Sequence, residues 1–425
     1  MSYPESVRYL YSLGNELKVG AKFGLERMRI LLEALSHPET NQQFVHVAGT
    51  NGKGSTCAMI ASGLKAAGHR TGLFTSPHLI EPTERIQIGG EQVTEHQFSE
   101  AFETVHRCAE QLVRQNRMDS HPTYFETVTA MALVIFRQCC DTAVMEVGLG
   151  GRLDATNVIE PRLTVITPVS FDHEAYLGNT LEAIAGEKAG ILKREVPVIM
   201  AKQAKAAEQV ITRRAHELSC PIIRAGKAQP GNVELHAYGS AFELNGTRFS
   251  CPLPGEHQVQ NATVAVLAMR QLGLPEEAIQ HGLSETIWPG RLERVRVKPD
   301  FILDGAHNPA GASALAAYIR LFYSERPLWL VYGAMRDKAI EEVTSQLFPL
   351  ARKIILTAPD FPRALRPEAI LQIARHPNTV TAPDLSHAIE LAAEAPPDAA
   401  VFFTGSLFLV GEARALLSRE TQFVS

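Results

Sequence analysis

The chain has 425 residues, of which 45% are hydrophobic and 20% are charged. This composition is typical of a globular protein and excludes disordered, collagen-like and disulfide-scaffold chains, and at roughly 150 residues per domain the length predicts two to three domains. The 41 Lys and Arg residues against 46 Asp and Glu residues give a formal charge of −5, which lacks the basic excess of a general nucleic-acid binder.

The six cysteines include no C-x-x-C pair, so we expect reduced thiols and a reducing compartment. The first residues lack the charged and apolar regions of a signal peptide. The longest apolar run, near 130–136, is shorter than the ~20 residues that a membrane span needs. We therefore expect a cytoplasmic monomer without membrane or nucleic-acid partners.

Apolar runs alternate with helical stretches along most of the chain. The apolar runs predict buried strands at 44–48, 71–75, 143–147, 163–167, 196–200, 301–304, 328–332, 353–357 and 400–404. Helices are predicted between them at 55–67, 96–116, 124–138, 181–192, 204–218, 258–272, 309–320 and 340–348. This alternation predicts an α/β fold whose parallel sheets are covered by helices on both faces.

Two breaks interrupt the alternation. At 231–250 short alternating runs flank Asn245-Gly246, which predicts a small antiparallel hairpin. Trp288-Pro289-Gly290 precedes a fresh series of strand–helix units and predicts a linker. We therefore expect an N-terminal domain at 1–289 and a smaller C-terminal α/β domain at 290–425.

The most informative local pattern is a buried strand at 44–48 followed by Gly49-Thr-Asn-Gly-Lys-Gly-Ser55 and a helix. Glycines let the backbone fold closely around phosphate oxygens, the start of the helix offers free N–H groups, and Lys53 adds a positive charge. The strict phosphate-loop pattern fails, because Val47 replaces its first glycine and Gly54 separates Lys53 from Ser55. We still favour nucleotide binding over a plain glycine turn.

Polar residues lie at the ends of three predicted strands, where open parallel sheets bind ligands. They are Ser76 in Thr75-Ser-Pro-His78, Glu146, and Asp172-His173. A carboxylate on an apolar strand is costly unless it is paired or bound to metal, so Glu146 is predicted to belong to a site. On their own, Ser76 fits a turn hydroxyl before proline, and His173 a loop histidine, better than either fits a ligand.

Together the motifs make the sequence resemble the folylpolyglutamate synthase/dihydrofolate synthase family of the Mur-ligase superfamily. The resemblance covers nearly the whole chain. Its motifs are Phe23-Gly-Leu-Glu-Arg27, Gly49-Thr-Asn-Gly-Lys-Gly-Ser55, Thr75-Ser-Pro-His-Leu79, Glu84-Arg-Ile86, Thr123-Tyr-Phe-Glu126, Glu146-Val-Gly-Leu-Gly-Gly-Arg-Leu-Asp-Ala-Thr-Asn157, Glu187-Lys-Ala-Gly190, Trp288-Pro-Gly-Arg-Leu-Glu293, Asp304-Gly-Ala-His-Asn-Pro309, Asp337-Lys338 and Gly405-Ser406.

This resemblance implies a Mur-ligase-like P-loop ATPase domain with a parallel sheet, followed by a smaller Rossmann-like domain. It implies an amide ligase that uses ATP to phosphorylate a pterin-linked carboxylate, which L-glutamate then attacks. The substrates are expected to be dihydropteroate and reduced folates, with L-glutamate, ATP and two Mg²⁺ ions. A folylpolyglutamate synthase without the dihydropteroate activity remains an alternative.

The resemblance also implies the site residues. Catalytic roles fall to Lys53, Lys188 and His307, ATP contacts to Thr50, Asn51, Gly52, Lys53, Gly54, Ser55, Asn261, Arg291 and Asp304, and magnesium to Ser76, Glu146 and His173. Pterin contacts fall to Arg27, Met28, Arg29, Ile30, Arg85, Thr123, Tyr124, Phe125, Glu126, Leu153, Asp154 and Ala155.

Several of these residues have an alternative structural interpretation. Tyr124 and Phe125 also fit core packing at the start of a helix. Arg85 also fits a solvated strand residue, and Asp304 also fits the N-cap of a helix. Lys188 resembles a lysine that is carbamylated by CO₂ in the family, on a helix that we expect Asn179 to cap. Without the resemblance, Lys188 fits an exposed helix lysine.

The chain departs from the family at Asp337-Lys338-Ala339, where a second acid often follows the lysine. Three alternatives belong to other classes of protein. A cell-wall Mur ligase needs a domain before its phosphate loop, for which the residues before Gly49 leave no room. A P-loop kinase or GTPase would lack a second α/β domain that carries Asp304 and His307. A non-catalytic nucleotide-binding module does not need Glu146, Lys188 and Arg291 together.

Overall fold

The structure, a computed structural model, describes residues 1–13, 24–336 and 339–422. Its largest sheet has eight strands in the order β4-β3-β2-β5-β1-β6-β7-β8. These strands are β1 (Gln43–Ala48), β2 (Thr71–Phe74), β3 (Ile86–Ile88), β4 (Glu91–Gln92), β5 (Thr142–Glu146), β6 (Leu163–Ile166), β7 (Val198–Met200) and β8 (Ile222–Arg224). The six strands that lie side by side in the order β2-β5-β1-β6-β7-β8 are parallel, whereas β3 and β4 add an antiparallel edge beside β2.

Helices cover both faces of this sheet. They are α1 (Tyr3–Ser12), α2 (Glu26–Ala34), α3 (Lys53–Ala66), α4 (Glu95–Arg114), α5 (Tyr124–Cys139), α6 (Glu174–Leu177), α7 (Leu181–Ala189) and α8 (Lys205–Glu217). The central strand β1 contributes side chains to two apolar clusters, one on each face of the sheet. Val45 and Val47 belong to the cluster that includes α3, whereas Phe44 belongs to the cluster of α4 and α5. Strand β1 is therefore buried on both faces, as its continuous apolar sequence predicts.

A three-stranded antiparallel sheet follows, made of β9 (Gly231–His236), β10 (Gly239–Leu244) and β11 (Thr247–Cys251). Strands β10 and β11 are joined at Asn245 and Gly246, whose φ angles of 54° and 81° are the positive values that a tight two-residue hairpin requires. Helices α9 (Glu256–Gln271) and α10 (Glu276–Ser284) then pack against α3. The hairpin expected at Asn245-Gly246 is present, with one further strand.

The third sheet has six strands in the order β12-β13-β17-β14-β15-β16. They are β12 (Glu293–Arg296), β13 (Asp300–Leu303), β14 (Leu328–Tyr332), β15 (Lys353–Leu356), β16 (Thr379–Thr381) and β17 (Ala400–Thr404), and all neighbours are parallel except β12 and β13. The helices are α11 (Pro309–Phe322), α12 (Ile340–Leu347), α13 (Pro367–Ile373), α14 (Leu385–Ala393) and α15 (Leu407–Gln422). Two apolar clusters, one on each face, form the core of this unit.

The α/β fold predicted from the sequence is confirmed, with antiparallel strands at the sheet edges. Across the described ranges, no helix combines the length and apolar character needed to span a membrane.

Candidate active site

The loop between β1 and α3 is built as an anion-binding turn. Gly52 precedes the helix with φ 83°, in the left-handed region. The first hydrogen bond of the helix runs from Thr56 N to Gly52 O, at 2.9 Å, so the three preceding N–H groups point out of the end of the helix without a helical acceptor. The Lys53 Nζ folds back to the Thr50 carbonyl at 3.1 Å. Free N–H groups, the helix dipole and an ammonium group therefore meet at one point.

The loop after β6 fixes one side of this phosphate-type loop. Thr50 N donates to Pro168 O at 2.9 Å, Thr50 Oγ1 donates to Ser170 O at 3.0 Å, and the Asn51 amide donates to Ser170 Oγ at 3.1 Å. All three bonds lie in the loop after β6, which is the neighbour of β1 in the sheet. The phosphate-type loop is therefore held in place before any ligand arrives.

Helix α9 supports the other side of the loop. The Asn261 amide donates to Gln258 Oε1 at 3.0 Å, and the Gln258 amide donates to Ser55 Oγ at 3.3 Å. A Cβ on Gly52 would lie 2.3 Å from Asn261 Oδ1. Glycine is therefore required at 52 by both its φ angle and its neighbour.

The loop lines a cleft of about 1130 Å³ between the N-terminal and C-terminal sheets. Most residues that the sequence singles out line this cleft, namely Thr50, Asn51, Gly52, Lys53, Gly54, Ser55, Ser76, Arg85, Tyr124, Phe125, Glu146, His173, Lys188, Asn261, Arg291, Asp304 and His307. Their sequence positions span more than half of the chain, and the two α/β units bring them together.

The C-terminal wall of the cleft is organised around Asp304, at the end of β13. Its carboxylate accepts from Leu292 N at 3.1 Å and from Ala306 N at 3.0 Å, so it ties the segment after the linker to the loop after β13. The N-cap of α11 is Asn308, which accepts from Gly311 N at 2.9 Å. Asp304 therefore does not serve as the N-cap that the sequence left open.

Two contacts connect the walls of the cleft. The Asn308 amide donates to Asn51 Oδ1 at 3.0 Å. His307 Nε2 lies 3.7 Å from Asp172 Oδ2, and the Asn308 amide also reaches this oxygen at 3.4 Å. The loop after β13 thus touches the phosphate-type loop directly.

Buried charges of both signs face one another in the cleft. Glu146, at the end of β5, accepts from Ser76 N at 3.0 Å. Burial raises the pKa of Glu146, and the nearby Lys53 and Arg291 oppose that rise. Burial likewise lowers the pKa of Arg291, opposed by Asp304 and Glu146. Such a network places fixed charges where a polyanion with bound cations would lie.

Lys188 is buried on α7, so the alternative of an exposed helix lysine is wrong. Burial, together with the charge of Lys53, lowers the pKa of Lys188 to about 7. The cap of its helix is Thr180, which accepts from Ala183 N at 3.2 Å. The expected cap at Asn179 is therefore wrong by one residue.

The predicted magnesium residues lie on three different strand-end loops around the cleft. Ser76 and Glu146 are joined by the hydrogen bond above, whereas His173 has φ 53° and its Nε2 lies 3.8 Å from Asp172 Oδ1. Among the residues that the structure describes, no group of three or more His, Cys, Asp and Glu side chains is placed to hold a metal ion.

The predicted pterin residues divide between two cavities. A small pocket of about 130 Å³ adjoins the cleft, with which it shares Leu149, Gly150 and Leu177. It is lined by the predicted residues Arg27, Thr123, Glu126, Leu153, Asp154 and Ala155. Glu126 closes one side, because it accepts both from Thr123 N at 2.7 Å and from Arg27 Nε at 2.8 Å.

The remaining pterin candidates have other environments. Met28 is fully buried in the core, and neither Arg29 nor Ile30 lines either cavity. Tyr124 and Phe125 belong to the apolar core and also line the cleft, so their core packing is confirmed and their contact with a pterin stays a prediction.

Arg85 is buried at the end of a short 3₁₀ helix (Pro82–Arg85), so it is not a solvated strand residue. Its Nε donates to His78 Nδ1 at 2.8 Å, and its guanidinium lies 5.1 Å from the centre of the Tyr124 ring. The ring of Tyr11 stacks on Tyr124, with centroids 5.8 Å apart. The cation is therefore packed among aromatic rings at the cleft.

Sequence reasoning did not assign Tyr11, His78 or Asp172 to the site. His78 and Asp172 lie in the polar strand-end clusters that the sequence identifies, whereas Tyr11 has no local signal. Asp337 and Lys338 lie outside the described residues, whereas Ala339, where the chain departs from the family, directly precedes α12.

Comparison with known proteins gives consistent results. Residues 47–269 match the Mur ligase middle domain, and residues 290–407 match the Mur ligase, glutamate ligase domain. The dihydrofolate synthase/folylpolyglutamate synthase of Bacillus subtilis is 36% identical over 417 residues, which cover 94% of this chain and 96% of the relative.

Two solved structures are similar over nearly the whole chain. Mycobacterium tuberculosis folylpolyglutamate synthase complexed with ADP and AMPPCP has a TM-score of 0.91 at 32% identity, covering 98% of this chain and 99% of the other. Escherichia coli FolC in complex with DHPP and ADP has a TM-score of 0.87 at 30% identity, covering 98% of each chain.

Proposed function

The chain belongs to the dihydrofolate synthase/folylpolyglutamate synthase family of Mur ligases, and we propose that it uses ATP to join L-glutamate to dihydropteroate and to reduced folates. The observation that carries this proposal is the single cleft in which the phosphate-type loop faces Asp304 and His307 of the other α/β unit. Such a cleft brings a nucleotide, an acid and an amine together.

The chemistry requires activation of a carboxylate, because hydroxide is a poor leaving group. A carboxylate oxygen attacks the γ-phosphorus of ATP, which gives an acyl phosphate and ADP. The glutamate amine then attacks the acyl carbon, loses a proton and releases phosphate, leaving an amide. Phosphoryl transfer of this kind depends on positioning and charge neutralisation more than on a covalent nucleophile.

The chain supplies these needs from both walls. The N–H groups at the start of α3 and the Lys53 ammonium suit the phosphates, and Thr50 and Asn51 belong to the same preset turn. Across the cleft Arg291 adds a second, partly buried cation, and His307 lies beside Asp172. We assign ATP to this space, with Asn261 and Asp304 at its edges.

The Ser76 hydroxyl and the Glu146 carboxylate fit Mg²⁺, which prefers hard oxygen ligands and retains several waters, whereas His173 is an unusual Mg²⁺ ligand that only the family resemblance supports. Glu146 is a buried carboxylate whose raised pKa reflects the cost of its charge, which a bound cation would offset. We propose that Ser76, Glu146 and His173 hold magnesium, which when bound neutralises phosphate charge. A second ion would be held by Lys188 as N6-carboxylysine, since carbamylation converts a poor ligand into an anionic oxygen donor.

The pterin is proposed to lie in the small pocket and the adjoining part of the cleft. Glu126 and Asp154 are buried carboxylates that can accept N–H groups of a flat heterocycle, and Tyr124 and Phe125 offer aromatic surface. We propose that Arg85, which lines the cleft among aromatic rings, holds a substrate carboxylate.

An assay of ADP release tests the proposal, with purified protein, ATP and Mg²⁺, and with L-glutamate present or absent. Dihydropteroate and tetrahydrofolate are supplied separately. We expect glutamate-dependent ADP release with each, and a product whose mass is increased by one glutamyl residue. Activity with tetrahydrofolate alone would identify the narrower folylpolyglutamate synthase, and glutamate-independent turnover would contradict the ligase assignment.

A further inference from the structure

A buried chain of hydrogen-bonding groups leads from the centre of the large sheet to the small pocket. His46, fully buried on β1, places its Nε2 2.8 Å from Thr156 Oγ1. This hydroxyl lies 2.5 Å from Asp154 Oδ1, and Asp154 lines the small pocket. The central strand is therefore connected to the pocket wall through polar atoms.

The direction of the chain follows from its donors and acceptors. Burial raises the pKa of Asp154, but the hydrogen bonds that Thr156, Leu149 and Gly148 donate to it oppose that rise and favour the ionised carboxylate. An ionised carboxylate only accepts, and Asp154 Oδ1 accepts from Thr156 N at 3.0 Å. The single hydroxyl proton of Thr156 therefore goes to Asp154, so the His46 Nε2 must carry a proton and donate it to Thr156. Burial, with the nearby charge of Lys193, lowers the pKa of His46 to about 3, so the imidazole has one N–H and no charge.

The arrangement fixes the wall of the small pocket. Asp154 caps the short 3₁₀ helix (Ala155–Val158), and its second oxygen accepts from Leu149 N at 2.9 Å. One carboxylate thus holds both ends of the segment that lines the pocket. Burying His46 on β1 lowers the stability of the fold, because its Nδ1 has no hydrogen-bond partner in the described part of the chain.

We infer that His46 is a positioning residue for the substrate heterocycle: through Thr156 it orients Asp154 so that the carboxylate faces N–H donors in the small pocket. This inference rests on the proposed function, which places a pterin there. Although β1 leads into the phosphate-type loop, the His46 side chain bonds to Thr156 on the side of the small pocket. Its loss is therefore expected to weaken pterin binding and to leave phosphoryl transfer at the loop unchanged.

Three substitutions of His46 test the inference. His46→Gln keeps an N–H donor near the position of Nε2, whereas the shorter His46→Asn places its donor near Nδ1, and His46→Leu has none. We expect His46→Leu and His46→Asn to raise the KM for dihydropteroate about tenfold, the effect of one hydrogen bond to a charged network. The KM for ATP and kcat should stay within about twofold of wild type, and His46→Gln should restore the KM for dihydropteroate.

Thr164→Val is the matched control, because Thr164 is a buried residue opposite His46 on β6 whose hydroxyl donates to Pro197 O and not toward the pocket. An unchanged KM for dihydropteroate in folded His46→Leu overturns the inference. The inference is also overturned if kcat falls and both KM values rise by as much as in the control, and if His46→Gln does not repair these changes. If His46→Leu fails to fold, the pair Thr156→Ser and Thr156→Val decides, since only Ser keeps the hydroxyl.

The wild-type assay separates two kinds of failure. Wild-type protein that shows no glutamate-dependent ADP release with either dihydropteroate or tetrahydrofolate contradicts the proposed function itself. Wild-type activity combined with an unchanged KM for dihydropteroate in the His46 variants overturns only the positioning role.

Discussion

Lys53 is the side chain whose charge the proposed phosphoryl transfer needs most directly. Its Nζ folds back over the turn to the Thr50 carbonyl, next to the free N–H groups of α3. Lys53→Ala is expected to lower kcat about a hundredfold or more, because a positioned cation contributes several kcal/mol in the transition state. Lys65→Ala, in the last turn of the same helix, is the control and should keep wild-type kcat. Equal rates in both folded variants would remove Lys53 from the mechanism.

Lys188 is expected to make activity depend on CO₂. Carbamate formation needs the neutral amine, which burial makes available above a pKa of about 7. Activity should fall when CO₂ is scrubbed, return with bicarbonate, and rise as pH passes through about 7. Lys188→Ala should lose much activity, and acetate should restore part of it. Wild-type rates in CO₂-free buffer, with no change in Lys188→Ala, would contradict the carbamate.

The same lysine predicts a pH dependence of stability. Its folded pKa of about 7 lies below its ordinary value of 10.5, so between these values the unfolded chain binds more protons than the folded protein. The free energy of unfolding therefore rises with pH across this window by linkage. In CO₂-free urea titrations, Lys188→Met should be more stable than wild type at pH 7 and lose that advantage toward pH 10. A constant difference would contradict the burial of an ionisable amine.

At the scale of elements, the turn between β1 and α3 is set by Gly52. A side chain there would meet both a left-handed φ and Asn261 Oδ1, whereas Gly68, with φ 88°, has open space around its missing Cβ. Gly68→Ala should cost about 1 kcal/mol of stability from backbone strain alone. Gly52→Ala should cost more and should also weaken ADP binding, measured by urea unfolding and calorimetry. If Gly52→Ala and Gly68→Ala lose the same stability and ADP affinity is unchanged, the turn tolerates a side chain at position 52.

The sequence predicted well those elements whose burial is complete and weakly those at the edges. β1 was predictable because five consecutive side chains are buried on both faces. β3, β4 and β12 were missed because each is short and carries exposed or half-buried residues, so no apolar run marks it. α14 has a clear apolar face, so this helix was predictable from the sequence although none was predicted there.

At the scale of the whole molecule, Asp304 ties the segment at Leu292 to the C-terminal sheet and balances the charge of the partly buried Arg291. Asp304→Asn is expected to raise the KM for ATP about tenfold, because the far wall of the cleft loosens and Arg291 loses its counter-charge. Asp300→Asn, at the other end of β13, breaks a 2.6 Å ion pair with Arg326 instead. It should lower the melting temperature without changing the KM for ATP. If Asp304→Asn and Asp300→Asn raise the KM for ATP by similar amounts, general destabilisation explains the rise and the role of Asp304 in the cleft is contradicted.

Contacts between distant segments were the least predictable part of the site. The loop motifs identified Asn51 and the 304–309 segment separately, but their junction through Asn308 depends on how the two sheets dock. The stacking of Tyr11 on Tyr124 joins two helices whose sequences carry no sign of the contact. Motifs therefore placed residues at a site, whereas the packing of whole units decided which of them meet.

The central claim is that a carboxylate of the substrate is activated by transfer of phosphate from ATP. Dihydropteroate labelled with ¹⁸O in its carboxylate tests it directly, by mass spectrometry of the phosphate released with wild-type protein, ATP, Mg²⁺ and L-glutamate. An acyl phosphate loses its bridging oxygen to phosphate, so one ¹⁸O should appear in phosphate for each amide formed. Amide formation with unlabelled phosphate would contradict the account.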